Sequence, residues 1–135
     1  MIPTPASGAR SPVRILLIED NPTSRQLMSD YLEHYGWDVM SLEQGNSFAA
    51  SMTQFQPHLI LLDLKLPDID GYTLLQQIQQ NSEWRSIPVI VVSAFAFQVD
   101  RQRALDLGAV QYLVKPVNLA HLRQTIHETL ENPLV

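Results

Sequence analysis

Runs of consecutive apolar residues alternate along this chain with segments whose apolar positions recur every three or four residues, predicting strands and helices in turn. Ile15-Leu16-Leu17-Ile18 is the buried run of a first strand, Val13 to Ile18, which ends in Glu19-Asp20. Asn21-Pro22 opens a helix, with Asn21 as N-cap and Pro22 at the first helical position, where a missing N–H costs nothing. Leu27, Met28, Tyr31, Leu32 and Tyr35 fall on one face of that helix, and Gly36 stops it. Trp37 to Leu42 reads as a short second strand, followed by a helix with Phe48, Ala49, Met52 and Phe55 as its buried stripe, ending before Pro57. His58 to Leu62 is a third strand whose apolar run stops at Asp63, and Pro67 and Asp70-Gly71 then turn the chain into a helix burying Leu74, Leu75 and Ile78. Asn81-Ser82 breaks this helix. Ile87 to Val92 is a fourth strand ending in Ser93-Ala94, and a helix from about Gln98 to Leu107 is closed by Gly108. Gln111 to Val114 is a fifth strand ending in Lys115-Pro116, and Asn118 caps a last helix with Leu119, Leu122, Ile126 and Leu130 on one side. Strands buried on both faces and alternating with helices imply an α/β fold with a doubly wound parallel sheet and right-handed crossovers.

Composition narrows what such a fold does. At 135 residues the chain is one domain of ordinary size. Residues 1–12, rich in Pro, Ser and Gly, read as a flexible tail or a linker from a longer parent chain, leaving 13–135 as the domain. Nine basic residues against fourteen acidic ones, with no basic cluster, argue against direct binding of nucleic acid. The absence of cysteine excludes disulfides, thiolate metal sites and thiol nucleophiles. Neither a signal peptide nor an apolar run of membrane-spanning length is evident, so a cytoplasmic location is expected. The four histidines are scattered without ligand spacing and are expected at the surface or at strand edges.

In a parallel sheet the C-terminal strand ends share one edge, where ligands bind. Glu19, Asp20, Asp63, Ser93 and Lys115 therefore converge. Three carboxylates are costly together unless something positive neutralises them, and a partly open set of hard oxygen ligands suits Mg²⁺. Ser93 offers a hydroxyl and Lys115 an ammonium, both suited to non-bridging phosphoryl oxygens. The chemistry that fits is attack by a carboxylate on a metal-held phosphoryl group, forming an aspartyl phosphate.

On Glu19-Asp20-Asn21, Asp63 with Pro67 and Asp70-Gly71, Ser93-Ala94, Gly108-Ala109, Tyr112 and Lys115-Pro116, residues 13 to 130 resemble the response-regulator receiver family of two-component signalling, including its single-domain members. The resemblance implies a flavodoxin-like sheet of strand order 2-1-3-4-5 flanked by five helices. It implies that Glu19, Asp20 and Asp63, with the main-chain carbonyl of Lys65, bind the metal, and that Asp63 is the phosphoacceptor. Ser93 resembles the phosphate-sensing hydroxyl, Lys115 the phosphate-pairing lysine, preceding a cis peptide, and Tyr112 the aromatic switch. By the same resemblance a sensor histidine kinase or phosphotransfer protein supplies the phosphoryl group. Phosphorylation then draws Ser93 in and turns Tyr112 inward, and the face of the fourth helix, fifth strand and fifth helix binds an effector protein. The protein is in that sense no ordinary enzyme, catalysing only its own phosphorylation and slow dephosphorylation.

Several residues depart from the pattern. Lys65 and Phe95 occupy positions two beyond Asp63 and Ser93 that vary in the family and tune phosphate loss, and bulky Phe95 is expected to shield the phosphoryl group from water. Phe95, Phe97 and Val99, with Val110 nearby, are expected to form an apolar docking patch or to pack onto the fourth helix. Arg101 and Arg103 are expected on a solvated helix face. Val110-Gln111 stands where DNA-binding members commonly carry two acids, so their charged dimer contact is not expected. Four rival readings remain: an aspartate-nucleophile phosphatase, disfavoured by Lys65; a flavin or nucleotide domain, disfavoured by the Glu19-Asp20 acids; a receiver look-alike that binds a partner constitutively; and a receiver fragment of a hybrid histidine kinase.

Overall fold

A computed structural model describes residues 12–131; the tail expected over 1–12 falls, apart from Pro12, outside them. The elements alternate as β1 (Arg14–Ile18), α1 (Pro22–His34), β2 (Asp38–Leu42), α2 (Phe48–Phe55), β3 (Leu59–Leu62), α3 (Gly71–Gln80), β4 (Val89–Ser93), α4 (Gln98–Asp106), β5 (Gln111–Val114) and α5 (Leu119–Glu131). All pairings are parallel and the strand order is β2-β1-β3-β4-β5. This is the doubly wound sheet expected from the alternation.

The three central strands read as unbroken apolar runs because successive side chains enter two different cores. Leu16, Ile18, Ile60, Leu62, Val89 and Val91 face a core closed by α2, α3 and α4, with Phe48, Met52, Leu74, Leu75, Ile78 and Ala104. Ile15, Leu17, Leu59, Leu61, Ile90 and Val92 face the opposite core, closed by Met28 and Leu32 of α1 and Leu122 and Ile126 of α5. A one-residue slip of a central strand would exchange its two faces, so packing on both sides reinforces the register.

Helix boundaries follow local chemistry. Asn21, Asp70 and Asn118 accept at their side-chain oxygens from the backbone N–H groups of Ser24, Tyr72 and His121. Gly36 and Gly108 follow α1 and α4 with positive φ of 90° and 109°. Two stripes are narrower than the periodicity predicts. Leu27 is 55% exposed, since Met28 and Leu32, with partly buried Tyr31, complete the packing of α1 on the sheet. Tyr35 lies beyond the helix, half exposed, against Tyr31 and beneath the Arg123 guanidinium. In α2 the exposed Ala49 is replaced in the buried stripe by Ser51, which flanks Phe48 on the side opposite Met52 in angle around the helix. Among the described residues no helix is long and apolar enough to cross a membrane.

Candidate functional site

The ladder registers assemble the site. Ile18 is paired with both Leu42 and Leu62, so Glu19 and Asp63 emerge side by side, with Glu19 N–H donating to the Leu42 carbonyl at 2.9 Å and Asp63 N–H to Ile18 at 3.0 Å. Ser93 is paired with Val114, and Lys115 N–H donates to the Ser93 carbonyl at 2.8 Å. Residues 96 positions apart thereby meet.

Glu19, Asp20 and Asp63 each present an oxygen within 4.8 Å of the others. Lys115 Nζ, at the end of a side chain that still reaches solvent, lies 2.7 Å from Glu19 Oε1 and 2.9 Å from Asp63 Oδ2. Asp63 Oδ1 accepts from the Lys65 N–H at 3.1 Å, and Lys65 bridges back to Asp70, which fixes the loop carrying the Lys65 carbonyl. The Lys115–Pro116 peptide is cis.

Burial is the largest influence on Glu19 and pushes its carboxyl above the ordinary value; bonds from Lys115 and the Asn21 N–H oppose that rise and the Asp63 charge adds to it. Burial alone would lower the Lys115 pKa, but the bonds and charges of Glu19 and Asp63 outweigh it and raise the value. Both partners of one ion pair thus shift upward, because a single lysine is shared by two buried acids. Although Glu19 Oε1 is close to the ammonium, it receives no aligned hydrogen bond and is buried. An anionic oxygen left with spare lone pairs beside two other carboxylates is the arrangement a hard divalent cation fits.

Ser93 is fully buried at the end of β4, its Oγ accepting from the Phe95 N–H at 3.0 Å. Tyr112 is inward, 3% exposed, and its hydroxyl donates to the Phe95 carbonyl at 2.7 Å. Tyr112, expected to turn inward on phosphorylation, is already inward in the unphosphorylated chain, where its bond to the β4–α4 loop holds it. Burial, outweighing its contact with Ser93, raises the Tyr112 phenol above its ordinary value.

The apolar patch expected around Phe95 divides. Phe95 is half-buried against the α3–α4 core, while Phe97 and Val99 are 75% and 72% exposed. Val110 does not join them: its N–H donates to the Val89 carbonyl at the start of β4, and it packs on the opposite face of the sheet. A strand's length separates it from Phe95, a distance that a sequence position just before Tyr112 conceals. Val110 instead lines a cavity of about 720 Å³ at the far edge with His58, Pro88 and Leu130.

Arg25, Tyr72 and Asp100 were not expected near the site. Tyr72, in the first turn of α3, donates to the Asp100 carboxylate at 3.3 Å and lies under the Arg103 guanidinium, 3.9 Å from the ring centre. Burial first, then the Asp100 charge, pushes its phenol up to about 12. Arg101 and Arg103 are exposed, as expected of a solvated helix face, yet Arg103 also joins α4 to α3 over Tyr72 and Arg101 reaches the Tyr112 carbonyl at 3.4 Å. The signal for Tyr72 was its place directly after Gly71, where a buried aromatic meets the next crossover helix.

Comparison with known proteins agrees with this geometry. The family model of the response regulator receiver domain matches residues 15–127. The transcriptional regulatory protein CssR of Bacillus subtilis is 40% identical over 76% of this chain, which spans 44% of that protein. The polar-differentiation response regulator DivK of Brucella anthropi is 30% identical over 88% of this chain and 97% of its own. The structure of a CheY-like response regulator receiver domain protein from Methanospirillum hungatei JF-1 superposes with a TM-score of 0.83 at 28% identity, covering 91% of this chain and 97% of that one. This chain spans half or less of the length of several curated relatives. With the five-stranded order, the acid cluster and the strand-end lysine in place, the chain belongs to the response regulator receiver domain family of two-component signalling.

Proposed function

We propose that this chain is a phosphoacceptor module in which Asp63 takes a phosphoryl group from a histidine kinase or phosphotransfer protein and the modified surface binds an effector protein. The observation that carries this reading is the meeting of Glu19, Asp20 and Asp63 within 4.8 Å while Lys115 Nζ holds Asp63 Oδ2 at 2.9 Å. Glu19, Asp20, Asp63 and the Lys65 carbonyl are the ligands for Mg²⁺, which when bound offsets the acids' charge and draws electron density from the phosphoryl oxygens. An Asp63 carboxylate oxygen attacks phosphorus as the bond to the donor breaks, and the donor leaves with that bonding pair. Lys115 pairs with a non-bridging oxygen and Ser93 donates its hydroxyl to another. Ser93 can do so by giving up its contact with Phe95 N–H, which links the phosphoryl group to the loop that also holds Tyr112. Effector binding then falls to the face of α4, β5 and α5, where Phe97 is exposed at the start of α4, while Val99 is exposed on the α3 side of that helix, beside Tyr72 and Gln76.

Incubation with Mg²⁺ and acetyl phosphate, followed by intact mass, tests this. One phosphoryl addition is expected in the wild type, none in Asp63→Asn and none after chelation. Addition to the variant, or none to a folded wild type that binds Mg²⁺, would count against Asp63 as acceptor of phosphoryl groups from small donors.

Phe95 is the residue proposed to shield the phosphoryl group. Its ring packs on the core beside Ser93 rather than projecting freely. Phe95→Ala is expected to shed the added mass faster than wild type after donor removal, and an unchanged decay would remove the shielding role.

A further inference from the structure

We infer that Arg25 is the positioning residue of the metal-binding acids, acting through the main chain of Glu19 and Asp20 and not through its charge. The inference rests on the reading of that acid cluster as a divalent-cation site. Between the last residue of β1, Ile18, and the first of α1, Pro22, only three residues make the turn, and two of them are the acids. The N–H groups of Glu19 and Asn21 donate to the Leu42 carbonyl and to Glu19 Oε2. Pro22 has no N–H to offer. The carbonyls of Glu19 and Asp20 are both taken by one nitrogen of Arg25, Nη1, at 2.9 and 3.2 Å. Its other terminal nitrogen lies 3.6 Å from Glu43, just beyond β2.

Arg25 reaches this position because side chains on a helix lean toward its N-terminus. Its own N–H donates to the Asn21 carbonyl in the first turn, so the guanidinium folds back over the junction. One guanidinium nitrogen shared by two successive carbonyls, in a plane whose other terminal nitrogen faces Glu43, ties two peptide planes together and with them the directions in which the Glu19 and Asp20 side chains leave the backbone. The charge of Arg25 has the opposite consequence, since a cation beside the acids opposes a second cation. The two effects differ in sign, so removing the side chain separates them.

Mg²⁺ titration by calorimetry on the full chain, comparing wild type, Arg25→Met and Arg25→Lys, is the test, with thermal melts in chelator to establish that each variant folds. Positioning predicts Mg²⁺ binding about 10-fold weaker in Arg25→Met, within the range for losing an outer-shell partner of metal ligands. Arg25→Lys keeps the charge but replaces the planar guanidinium, which faces the two carbonyls and Glu43 at once, with an ammonium on a shorter stem, and is also expected to bind more weakly than wild type. Equal or tighter binding by Arg25→Met, or wild-type affinity in Arg25→Lys, overturns the inference. Should Arg25→Met not fold, the lysine variant decides alone. A wild type that binds no Mg²⁺ overturns the cation-site reading together with the inference, whereas binding unaffected by the substitutions overturns the inference only.

Discussion

Gly71→Ala is expected to cost about 3 kcal/mol of stability, the upper part of the range for overpacking a filled core. Gly71 begins α3, and its N–H donates to the Leu64 carbonyl at 2.9 Å. A Cβ there would lie 2.4 Å from Leu64 Cα and 2.7 Å from its carbonyl oxygen. These are backbone atoms, which cannot rotate aside as a flexible side chain would. Leu64 directly follows Asp63, so relief of the clash moves the strand end that carries the proposed phosphoacceptor. Urea denaturation would show a lowered midpoint, and Mg²⁺ binding would weaken in parallel. Gly36→Ala is the control: its Cβ meets nothing within 4 Å, and only the positive φ of 90° opposes it. That strain is worth roughly 1–2 kcal/mol. Equal losses in the two variants would show that the close approach of α3 to Leu64 carries no special cost.

The second large effect is expected at Lys115. Lys115→Met keeps much of the stem and removes the cation from between Glu19 and Asp63, whose side chains are 1% and 4% exposed. Breaking a buried pair costs roughly 3–5 kcal/mol, and about 2 is expected here because Lys115 reaches solvent. The penalty depends on pH in a definite direction. Glu19 already lies above its ordinary value of 4.5 in the folded wild type, through burial before all else. Without Lys115 it rises further. A carboxyl raised on folding binds more protons in the folded state, so its contribution is fully present below the unfolded value and is lost as pH rises through the folded one. Urea midpoints should therefore show the variant's deficit largest at neutral pH, shrinking on acidification towards 4.5 and on addition of Mg²⁺, which replaces the missing charge. A deficit unaffected by either would mean that Lys115 stabilises by packing alone.

These two expectations depend differently on the sequence. Lys115 is legible as a site residue from the sequence, because an ammonium at the end of an apolar run must lie on the strand-end edge with Asp63. Gly71 is legible there as a turn residue only; that its missing Cβ admits the Leu64 backbone follows from how closely α3 approaches the end of β3. Val110 illustrates the opposite error. Its neighbours in sequence placed it with Tyr112, whereas the strand length and the pleat carry it to the far edge and the other core.

The alternation of apolar runs with three-to-four-residue periodicity determined the order of strands and helices, and the residues ending each run determined the chemistry of the site. Those features are local: a period selects an element, and a carboxylate at a strand end lies on one edge whatever the partner strands. Tertiary structure alone decided the width of the buried stripes of α1 and α2, the Tyr72 bond to α4, the inward Tyr112 and the hold of Arg25 on the acid turn. Each depends on the distance between elements remote in the chain or on the angle at which a side chain leaves its backbone, and the spacing of residue types constrains neither.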